Sequence, residues 1–545
     1  MPAADSPTNF RWRRRLRWLS IWSSLGVVFL LVGWSIENWR GRRVWNALVL
    51  EYAAQGQPVM LDEWEKRRAD VQLNERNFWG TPLLRQLFEF NDLNYPQRVR
   101  ELEAIRLPAF SEDRDPRNPA QLNLVRWQRT FRNDPGAPHP VTPSSPAGET
   151  LFGCAKWDRQ LTELSQAFLR PEFRVPLRNL NDWSMVSDTL SRLTLHLSEI
   201  ATVRCAARIE LGDTGPALED LENNEKLGQS LLVCGALGNH VGERILGNGV
   251  RMIYEGLARH RWDDRQLVRL DQLLELRNHR SAWVEAIGWQ RLEMVTATLT
   301  WFDHPRQGAG ELKQFGQMLG SQAKLVSTRM GRLAMGSESL AGFGRVLHQA
   351  SVAALEGLGD FAVGEAFAYT PGWRYQNIVH LVRDMDSDVS DQLRWARGEL
   401  PYDRKYVRVT YRFPPWWNVY RRWPGSPSGR PVNFSGAAGG ECLTRMALIA
   451  VCLERYRIAH GVYPGALADL VPDQLSRVPT DTLSGEDYLY ARLDNDWYRL
   501  DSPYTAKDGE RFVTHWPQPD QTNCWSGYAI GQEKTVSGIR QGPGR

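Results

Sequence analysis

The stretch LSRLTLHLSEIATVRCAARIELGDTGPALEDL, residues 190–221, decides the fold of the central region. Apolar residues recur at intervals of three and four from Leu190 to Ile200, which places them on one stripe of an α-helix. Gly212 interrupts this pattern, and Pro216 suits the start of a second helix. Proline lacks a backbone N–H, and an N–H in the first turn of a helix would have no intrahelical partner. The stretch therefore predicts the corner of an antiparallel helical hairpin.

Helical spacing continues through residues 151–400, which are predicted to form a body of helical hairpins. The corner ELGDTGPALEDLENN resembles the turn of a tetratricopeptide-type repeat. A second copy 34 residues away is not found, so the sequence does not establish a regular solenoid. The predicted fold class is mainly α, with one N-terminal transmembrane helix, a helical-hairpin body and a small α+β C-terminal domain.

The N-terminal region contains a segment that suits a membrane span. Residues 18–36 read WLSIWSSLGVVFLLVGWSI and include no charged residue. As a helix they measure about 28 Å, close to the hydrocarbon thickness of a bilayer, about 30 Å. Aromatic and basic residues bracket the segment, as is typical of membrane–water interfaces. The predicted anchor residues are Trp18, Trp22, Phe29, Trp34, Arg13, Arg14 and Arg15.

The distribution of arginines predicts the orientation of this span. Five arginines precede it and three follow closely, and basic residues favour the cytoplasmic side. We therefore expect residues 1–17 to be a cytoplasmic stub and the main body to lie outside the cytoplasm. One alternative is a cleaved signal peptide, which the following ENWRGRRVW disfavours because it offers no small-residue cleavage site. The other is a buried core helix.

The charge of the chain separates the anchor from the body. The whole chain has a formal net charge of +4, but residues 1–44 contain eight Arg against only Asp5 and Glu37. The remaining residues carry 59 basic and 61 acidic side chains, a net charge of −2. The body therefore lacks a basic footprint, and we expect no nucleic-acid partner.

Six cysteines in 545 residues do not form the dense pattern of a disulfide scaffold. They lack the CxxC and Cys/His spacings of zinc sites, so structural thiols are the preferred interpretation. Cys442 and Cys452 cannot pair if both lie on one helix, because about 15 Å of helix would separate them. Other pairings stay open on the oxidising side of a membrane.

Two segments between the anchor and the body differ in composition. Residues 37–107 begin with a helical apolar pattern that ends near Gly56, which predicts a membrane-proximal helix and then an irregular arm. Residues 108–150 include DRDPRNP and DPGAPHPVTPSSPAG, and proline at this density does not propagate a helix or a central strand. This second segment is predicted to be a linker or a surface wrap.

The C-terminal domain, residues 401–545, opens with the basic and aromatic segment YDRKYVRVTYRFPPWWNVYRRWPGSPSGR. Arginine interleaved with aromatic rings suits a polyanion or a glycan through charge and stacking. The same pattern is typical of an exposed β-ribbon on a helical body, which is the preferred interpretation. The candidate ligand surface comprises Arg408, Arg412, Trp416, Trp417, Arg421 and Arg422.

The stretch ALIAVCLERYRIAHGVYPGALADLVPDQLSRVPTD, residues 447–481, lies further along this domain. Its apolar start predicts a helix buried on more than one side, Gly461 ends that helix, and DYLYARLDNDWYRLDS predicts two short strands. This order, with GxYP, LxxLVP and VPxD between helix and hairpin, resembles the globular head of type II secretion pseudopilins over residues 443–502. The chain departs from those proteins at Asp481-Thr482, where Asp-Pro is expected, and in the rewritten calcium loop DSPYTAKDGER.

The whole chain is similar to an uncharacterised family of single-span bacterial envelope proteins. After the anchor come a GxPVxLxE-like arm at Gly56–Glu63, the LGDxxxALED corner at Leu211–Asp220 and a PGWxYxN segment at Pro371–Asn377. The pseudopilin-like tail follows. The resemblance implies an architecture, an anchor with a tetratricopeptide-like helical body, and no particular activity.

Catalytic and ligand-binding motifs occur in the sequence only in incomplete form. GLGDFA, at Gly357–Ala362, fits a dinucleotide fingerprint by its letters, but no strand precedes it. Asp384, Asp386 and Asp388 copy three ligand positions of an EF-hand loop, yet Val389 stands where Gly is needed, so a solvated helix face is the better interpretation. HExxH, Walker and GxSxG motifs are absent from the sequence. The sequence therefore predicts no catalytic residue, no cofactor and no metal site.

These observations favour a membrane-anchored extracytoplasmic protein that works by binding, with the membrane and a protein as partners. Helical hairpins offer a concave surface to a peptide, and the tail indicates an accessory or scaffold of an envelope or secretion assembly. The alternative is an extracytoplasmic hydrolase that acts on envelope polymer, because catalytic triads assemble from distant positions. A pocket with a close His–carboxylate pair would favour the hydrolase, whereas a groove without one would favour binding.

Overall fold

The described part of the chain is mainly helical and carries one small sheet. A computed structural model describes residues 7–57, 59–60, 72–89, 94–107, 122–142, 144–176, 180–232, 234–303, 371–402, 434–494, 497–505 and 511–515. These residues belong to two compact units. Within the described ranges, the first unit comprises residues 7–57, 59–60, 291–303 and 371–388, and the second comprises the described residues between 72 and 290 and between 389 and 515.

The helices are numbered in chain order. They are α1 (Pro7–Ala54), α2 (Pro82–Arg85), α3 (Tyr95–Glu103), α4 (Leu124–Arg132), α5 (Pro146–Cys154), α6 (Asp158–Ala167), α7 (Leu180–Leu211), α8 (Thr214–Leu232), α9 (Gly235–Leu257), α10 (Asp264–Glu275), α11 (His279–Asp303), α12 (Pro371–Asp388), α13 (Ser390–Ala396) and α14 (Phe434–His460). Short 3₁₀ turns lie at Phe78–Gly80, Gln86–Phe88, Ala155–Trp157 and Leu467–Leu470. The strands are β1 (Leu489–Asp494), β2 (Trp497–Thr505) and β3 (Arg511–His515).

Helix α1 carries the predicted anchor residues and runs unbroken for 48 residues. Its apolar part, within Ser20–Ala54, reaches a mean hydropathy of 1.5 with none of that window buried. The aromatic residues predicted for the anchor are all exposed, namely Trp18, Trp22, Phe29 and Trp34. Arg13, Arg14 and Arg15 lie near the start of the same helix. The sequence thus correctly predicts an apolar helix near the N-terminus, although the helix extends beyond residues 18–36 at both ends.

The later part of α1 packs closely on α12 in the first unit. The two backbones meet at Gly41 and Gly372, where a Cβ atom added to Gly41 would lie 2.2 Å from the Gly372 carbonyl oxygen. Asn38 Oδ1 accepts a hydrogen bond from the Gly372 N–H at 2.7 Å. Any larger side chain at Gly41 would therefore separate the helices. The core below this contact contains Trp45, Leu48, Tyr52, Val59, Met294, Val295, Ile378, Val379, Leu381 and Val382.

A buried arginine closes the core of the first unit. Arg291 on α11 contacts Asp386 on α12, with 2.5 Å between Nη2 and Oδ1, and donates to the Gln57 side chain at 2.6 Å. Its guanidinium lies over the Tyr52 ring, 4.6 Å from the centroid. The interpretation of a solvated face holds only in part for Asp386, because its side chain is 28% exposed and its carboxyl group pairs with a buried cation.

The central hairpin of the second unit forms as its sequence predicts. Helix α7 ends at Leu211, and Gly212 adopts a left-handed φ of +87°, which glycine tolerates without a Cβ clash. The N–H of Asp213 then donates to the Arg208 carbonyl at 2.8 Å, before α8 begins at Thr214. Pro216 is the third residue of α8 rather than the first. Helix α9 packs against both members of the hairpin.

Helix α4 lies within residues 108–150, the segment predicted to be a linker. Its stretch LVRWQRTFR contains no proline, and Asn123 caps it by accepting a hydrogen bond from the Arg126 N–H at 3.0 Å. Leu124, Trp127 and Phe131 fall on one face and are buried. The prolines of the segment flank this helix and do not interrupt it. An amphipathic helix can therefore form within a proline-rich segment.

Helix α14 is the apolar helix of the pseudopilin-like stretch, and it is a core helix of the second unit. It packs against α9 and α10, and 78% of its apolar window is buried. The predicted burial on more than one side is thus confirmed, and Gly461 ends the helix with a φ of +78°. After the turn at Leu467–Leu470, the strands form an antiparallel sheet in the order β1-β2-β3.

The cysteines of the described residues are all buried, and none is joined to another of them by a disulfide bond. They are Cys154, Cys205, Cys234, Cys442 and Cys452. Burial raises the pKa of the Cys154 and Cys452 thiols to about 12. These thiols are therefore protonated and unreactive while the fold is closed.

Candidate binding cleft

A polar cleft opens between helix α6 and the α7–α8 hairpin, within the second unit. Its volume is about 240 Å³, and small-molecule pockets usually occupy about 300–1,000 Å³. The cleft therefore has room for a small polar group and an adjoining side chain, and not for a large cofactor.

The floor of the cleft is apolar. Leu164 and Phe168 come from α6 and the residue that follows it, Leu197 comes from α7, and Leu227 comes from α8. All four side chains are buried. An apolar group of a ligand would leave water on contact with them, which is the main favourable term in binding.

Two arginines and one aspartate form a wall of the cleft. Arg204 and Arg208 are four residues apart on α7, so they project from the same face of the helix. Arg208 donates through Nη1 to Asp220 Oδ2 at 2.7 Å and to the Pro216 carbonyl at 2.8 Å. Arg204 Nη2 lies 3.5 Å from Asp220 Oδ1, an ion pair that is too long for a good hydrogen bond. Arg208 is thus fixed by the corner of the hairpin, and Arg204 is not.

The carboxylates around the cleft limit its positive charge. Burial raises the pKa of Asp220, while the charges of Arg204 and Arg208 act in the opposite direction. Asp158 and Glu219 are exposed and also line the cleft. Three carboxyl groups face two guanidinium groups, so the cleft does not suit a polyanion such as nucleic acid.

A chain of hydrogen bonds ties one end of the cleft to helix α9. Asn248 donates to Ser198 Oγ at 2.9 Å, Ser198 donates to Asn224 Oδ1 at 2.6 Å, and Asn224 donates to the Ile245 carbonyl at 2.8 Å. These polar groups are therefore already hydrogen-bonded within the protein. The neighbouring Asn223 is half-buried, lines the cleft and makes no side-chain hydrogen bond to the described residues.

The corner of the hairpin explains why the wall residues meet. Arg204 and Asp220 are each eight residues from Gly212, and positions equally far from a corner face each other on antiparallel helices. The sequence analysis identified the corner and its leucines but missed these polar residues. The equal spacing in RCAARIELGDTGPALED was the signal that could have found them. The sequence contains no comparable signal for the residues that α6 contributes to the cleft.

The candidate ligand surface from the sequence lies outside the described residues. Arg408, Arg412, Trp416, Trp417, Arg421 and Arg422 all fall in the gap between residues 402 and 434. GLGDFA at Gly357–Ala362 lies in another such gap. The interpretations of these two stretches stay predictions.

A buried ionic cluster fastens α14 to the body of the second unit. Arg277 donates to the Glu225 carboxylate through Nε at 2.8 Å and to Thr444 Oγ1 at 3.0 Å. Thr444 also contacts His279 Nε2 at 2.9 Å, and Nδ1 of the same ring contacts the Glu243 carboxylate at 2.9 Å. The Arg277 and His279 side chains are each only 1% exposed. This His–carboxylate pair is closed to substrate and has a structural role.

A second His–carboxylate pair lies where α9 ends against α14. His260 Nδ1 lies 3.0 Å from Glu454 Oε1, and the Tyr463 hydroxyl donates to Glu454 Oε2 at 2.7 Å. Arg457 donates to both oxygens, at 2.7 and 3.0 Å. Burial acts to raise the pKa of Glu454, but the hydrogen bonds to His260, Arg457 and Tyr463 together outweigh it and lower the pKa to about 2. Neither residue of this pair lines the cleft.

The fold and the cleft define a mainly helical protein with an apolar N-terminal helix and a polar groove between helices. The residues that line the groove in the described structure include no histidine and no cysteine. Across the described ranges, no group of three His, Cys, Asp or Glu side chains is placed to hold a metal ion. Comparisons with protein-family models, curated proteins and solved structures find no match to this chain.

Proposed function

We propose that this protein is a membrane-anchored binding or scaffold protein whose body lies outside the cytoplasm and whose ligand occupies the α6–α8 cleft. The observation that carries the proposal is the cleft itself. It combines an apolar floor with the wall of two arginines and one aspartate and with Asn223, and its lining residues include no His–carboxylate pair. Such a lining recognises a ligand by charge and shape and supplies no imidazole as a general base.

The N-terminal helix supports the anchored part of this proposal. Its apolar stretch is exposed, and its later turns enter the core of the first unit through Trp45, Leu48 and Tyr52. One continuous helix thus leaves the apolar stretch and joins folded protein without a flexible linker. The excess of arginines before residue 18 supports a cytoplasmic N-terminus.

A role beside an envelope or secretion assembly rests on the resemblance of residues 443–502 to pseudopilin heads and of the whole chain to single-span envelope proteins. Because α14 is buried within the second unit, its apolar face is not the surface that a partner would meet. The exposed side chains of β1, Leu489 and Leu493, are better placed for that contact.

Site-specific photo-crosslinking in intact cells tests the proposal. A photoreactive amino acid replaces Thr162, which is exposed on α6 and lines the cleft. We expect an adduct of defined mass in the membrane fraction, because a bound ligand would lie against this position. The control places the same reagent at Gln166, one turn further along α6, exposed and outside the lining. Equal labelling at both positions, or none at Thr162, would refute the cleft as the binding site.

A further inference from the structure

Arg204 differs from Arg208 in making no side-chain hydrogen bond to the residues that the structure describes. Its side chain is only 15% exposed. A guanidinium carries five N–H donors, yet the contact to Asp220 at 3.5 Å is its ion pair in the described structure, and it donates no hydrogen bond there. Arg208, one turn away, donates two hydrogen bonds through Nη1, at 2.7 and 2.8 Å. Because Arg204 lines the open cleft, its N–H groups face the space that a ligand would occupy and can donate to an acceptor there.

From this geometry we infer that the cleft takes a carboxylate whose neighbouring group is apolar, such as the C-terminus of a peptide ending in an aliphatic residue. The inference rests on the proposed function and names the chemistry of its ligand. Arg204 supplies two parallel N–H donors to the carboxylate, an arrangement that its planar fork favours. Asn223, whose amide is also unused among the described residues, is the second polar contact.

The rest of the cleft restricts the ligand to a single carboxylate. Leu164, Phe168, Leu197 and Leu227 form the apolar floor that receives the neighbouring side chain. Asp158 and Glu219 at the rim repel further negative charge, which disfavours phosphate chains and acidic polymers. The volume of about 240 Å³ accommodates the terminal residue of a peptide and excludes a bulky acid.

Calorimetry on the full-length protein in detergent micelles tests the inference with three probes. They are acetyl-Gly-Ala-Leu with a free carboxylate, the same peptide as its C-terminal amide, and N-acetylleucine. We expect the free acid to bind at least about tenfold more tightly than the amide, because the amide cannot form the charged pair with Arg204. Equal affinities for acid and amide, or no binding of any probe, would overturn the inference.

The comparison of acid and N-acetylleucine distinguishes two sources of the same chemistry. Tighter binding of the peptide assigns the site to protein C-termini, and equal binding assigns it to small apolar acids. Each result supports the carboxylate, and the two differ only in what is attached to it.

Substitutions locate the carboxylate within the cleft. Arg204→Gln should weaken the acid to the level of the amide and leave the amide unchanged. Asn223→Ala should lower the affinity for the free-acid peptide several-fold. This variant provides a second test if Arg204→Gln does not fold. Arg192→Gln is the matched control, because Arg192 is an exposed arginine on the same helix, paired with Glu103 away from the lining. Unaltered acid binding by folded Arg204→Gln would refute the assignment.

Failure of the inference differs from failure of the proposed function. A defined crosslink at Thr162 together with equal acid and amide affinities would keep the cleft as a binding site and reject the carboxylate. Absence of the crosslink with no binding of any probe would reject both.

Discussion

Helices α1 and α14 have almost the same hydropathy and opposite environments. Their apolar windows reach 1.5 and 1.4, yet none of the first is buried and 78% of the second is. The difference lies in the few polar residues. Thr444 and Glu454 on α14 meet Arg277 and His260 of the body, whereas residues 18–36 of α1 carry no charged group at all. An apolar helix with matched polar contacts is a core element, and one flanked by Arg and Trp suits a membrane.

The largest expected effect is on the location of the protein. Leu25→Arg combined with Val28→Arg places two charges in the exposed apolar stretch of α1. Each arginine near a membrane-helix centre costs about 2.5–3.5 kcal/mol on insertion scales, so the double variant should leave the carbonate-washed membrane fraction. Leu50→Arg, also exposed but beyond the predicted span, should stay with the membranes. Retention of the double variant would show that this stretch is not the anchor.

The buried cluster at α14 gives the next largest effect. Arg277→Met leaves Glu225 charged and unpaired in the core, which should lower the free energy of unfolding by about 3–5 kcal/mol. Urea denaturation of the full-length protein in micelles measures the loss. Arg269→Met is the comparison, because Arg269 is half-exposed in its pair with Glu222 and should change stability by no more than about 1 kcal/mol. Similar values for the two variants would contradict the structural role of the cluster.

Truncating one apolar residue on each helix gives a direct test of their environments. Ile449→Ala on α14 removes a fully buried side chain and should cost about 2–5 kcal/mol in the same denaturation experiment. Leu25→Ala on α1 should alter the unfolding of the folded units by less than about 0.5 kcal/mol, since that side chain is exposed in the protein. If both variants unfolded alike, the contrast between the helices would not hold.

The pH dependence of stability should reveal how Glu454 holds α14. Its pKa in the folded protein is about 2, below its ordinary value of 4.5. The contribution is therefore fully present above pH 4.5 and is lost as pH falls towards 2, a change of about 3 kcal/mol. Unfolding free energy measured from pH 6 to 2 should fall less steeply in Glu454→Gln. An unchanged slope would mean that other carboxylates govern acid unfolding.

The sequence predicts those features that depend on local pattern. The leucine spacing before Gly212, the glycine at the corner and the apolar run of α14 each specify an element without reference to distant residues. Helix α4 was not predicted, because residues 108–150 were treated as one proline-rich segment although the prolines only flank the helix. The pairing of Asp386 depends on Arg291, 95 residues earlier in the chain, and no local pattern shows it.

The candidate cleft was only partly predictable for the same reason. Arg204 and Asp220 can be paired from their equal distances to the corner, which is a property of the hairpin alone. Leu164 and Phe168 reach the cleft through the tertiary packing of α6, which the sequence pattern leaves open. The hydrogen-bond chain from Ser198 through Asn224 to α9 likewise depends on a third helix.

The five buried cysteines of the described residues form no disulfide bond with one another, which imposes a timing requirement on biogenesis if the body lies outside the cytoplasm. A chain that crosses the membrane unfolded would present its thiols to oxidants before it folds. The native state keeps Cys205, Cys442 and their companions as separate buried thiols, so the helices must close faster than wrong pairs form. The same thiols serve as internal reporters, because each becomes accessible to a labelling reagent only when its own helices open. The order of their labelling would show which part of the second unit opens first.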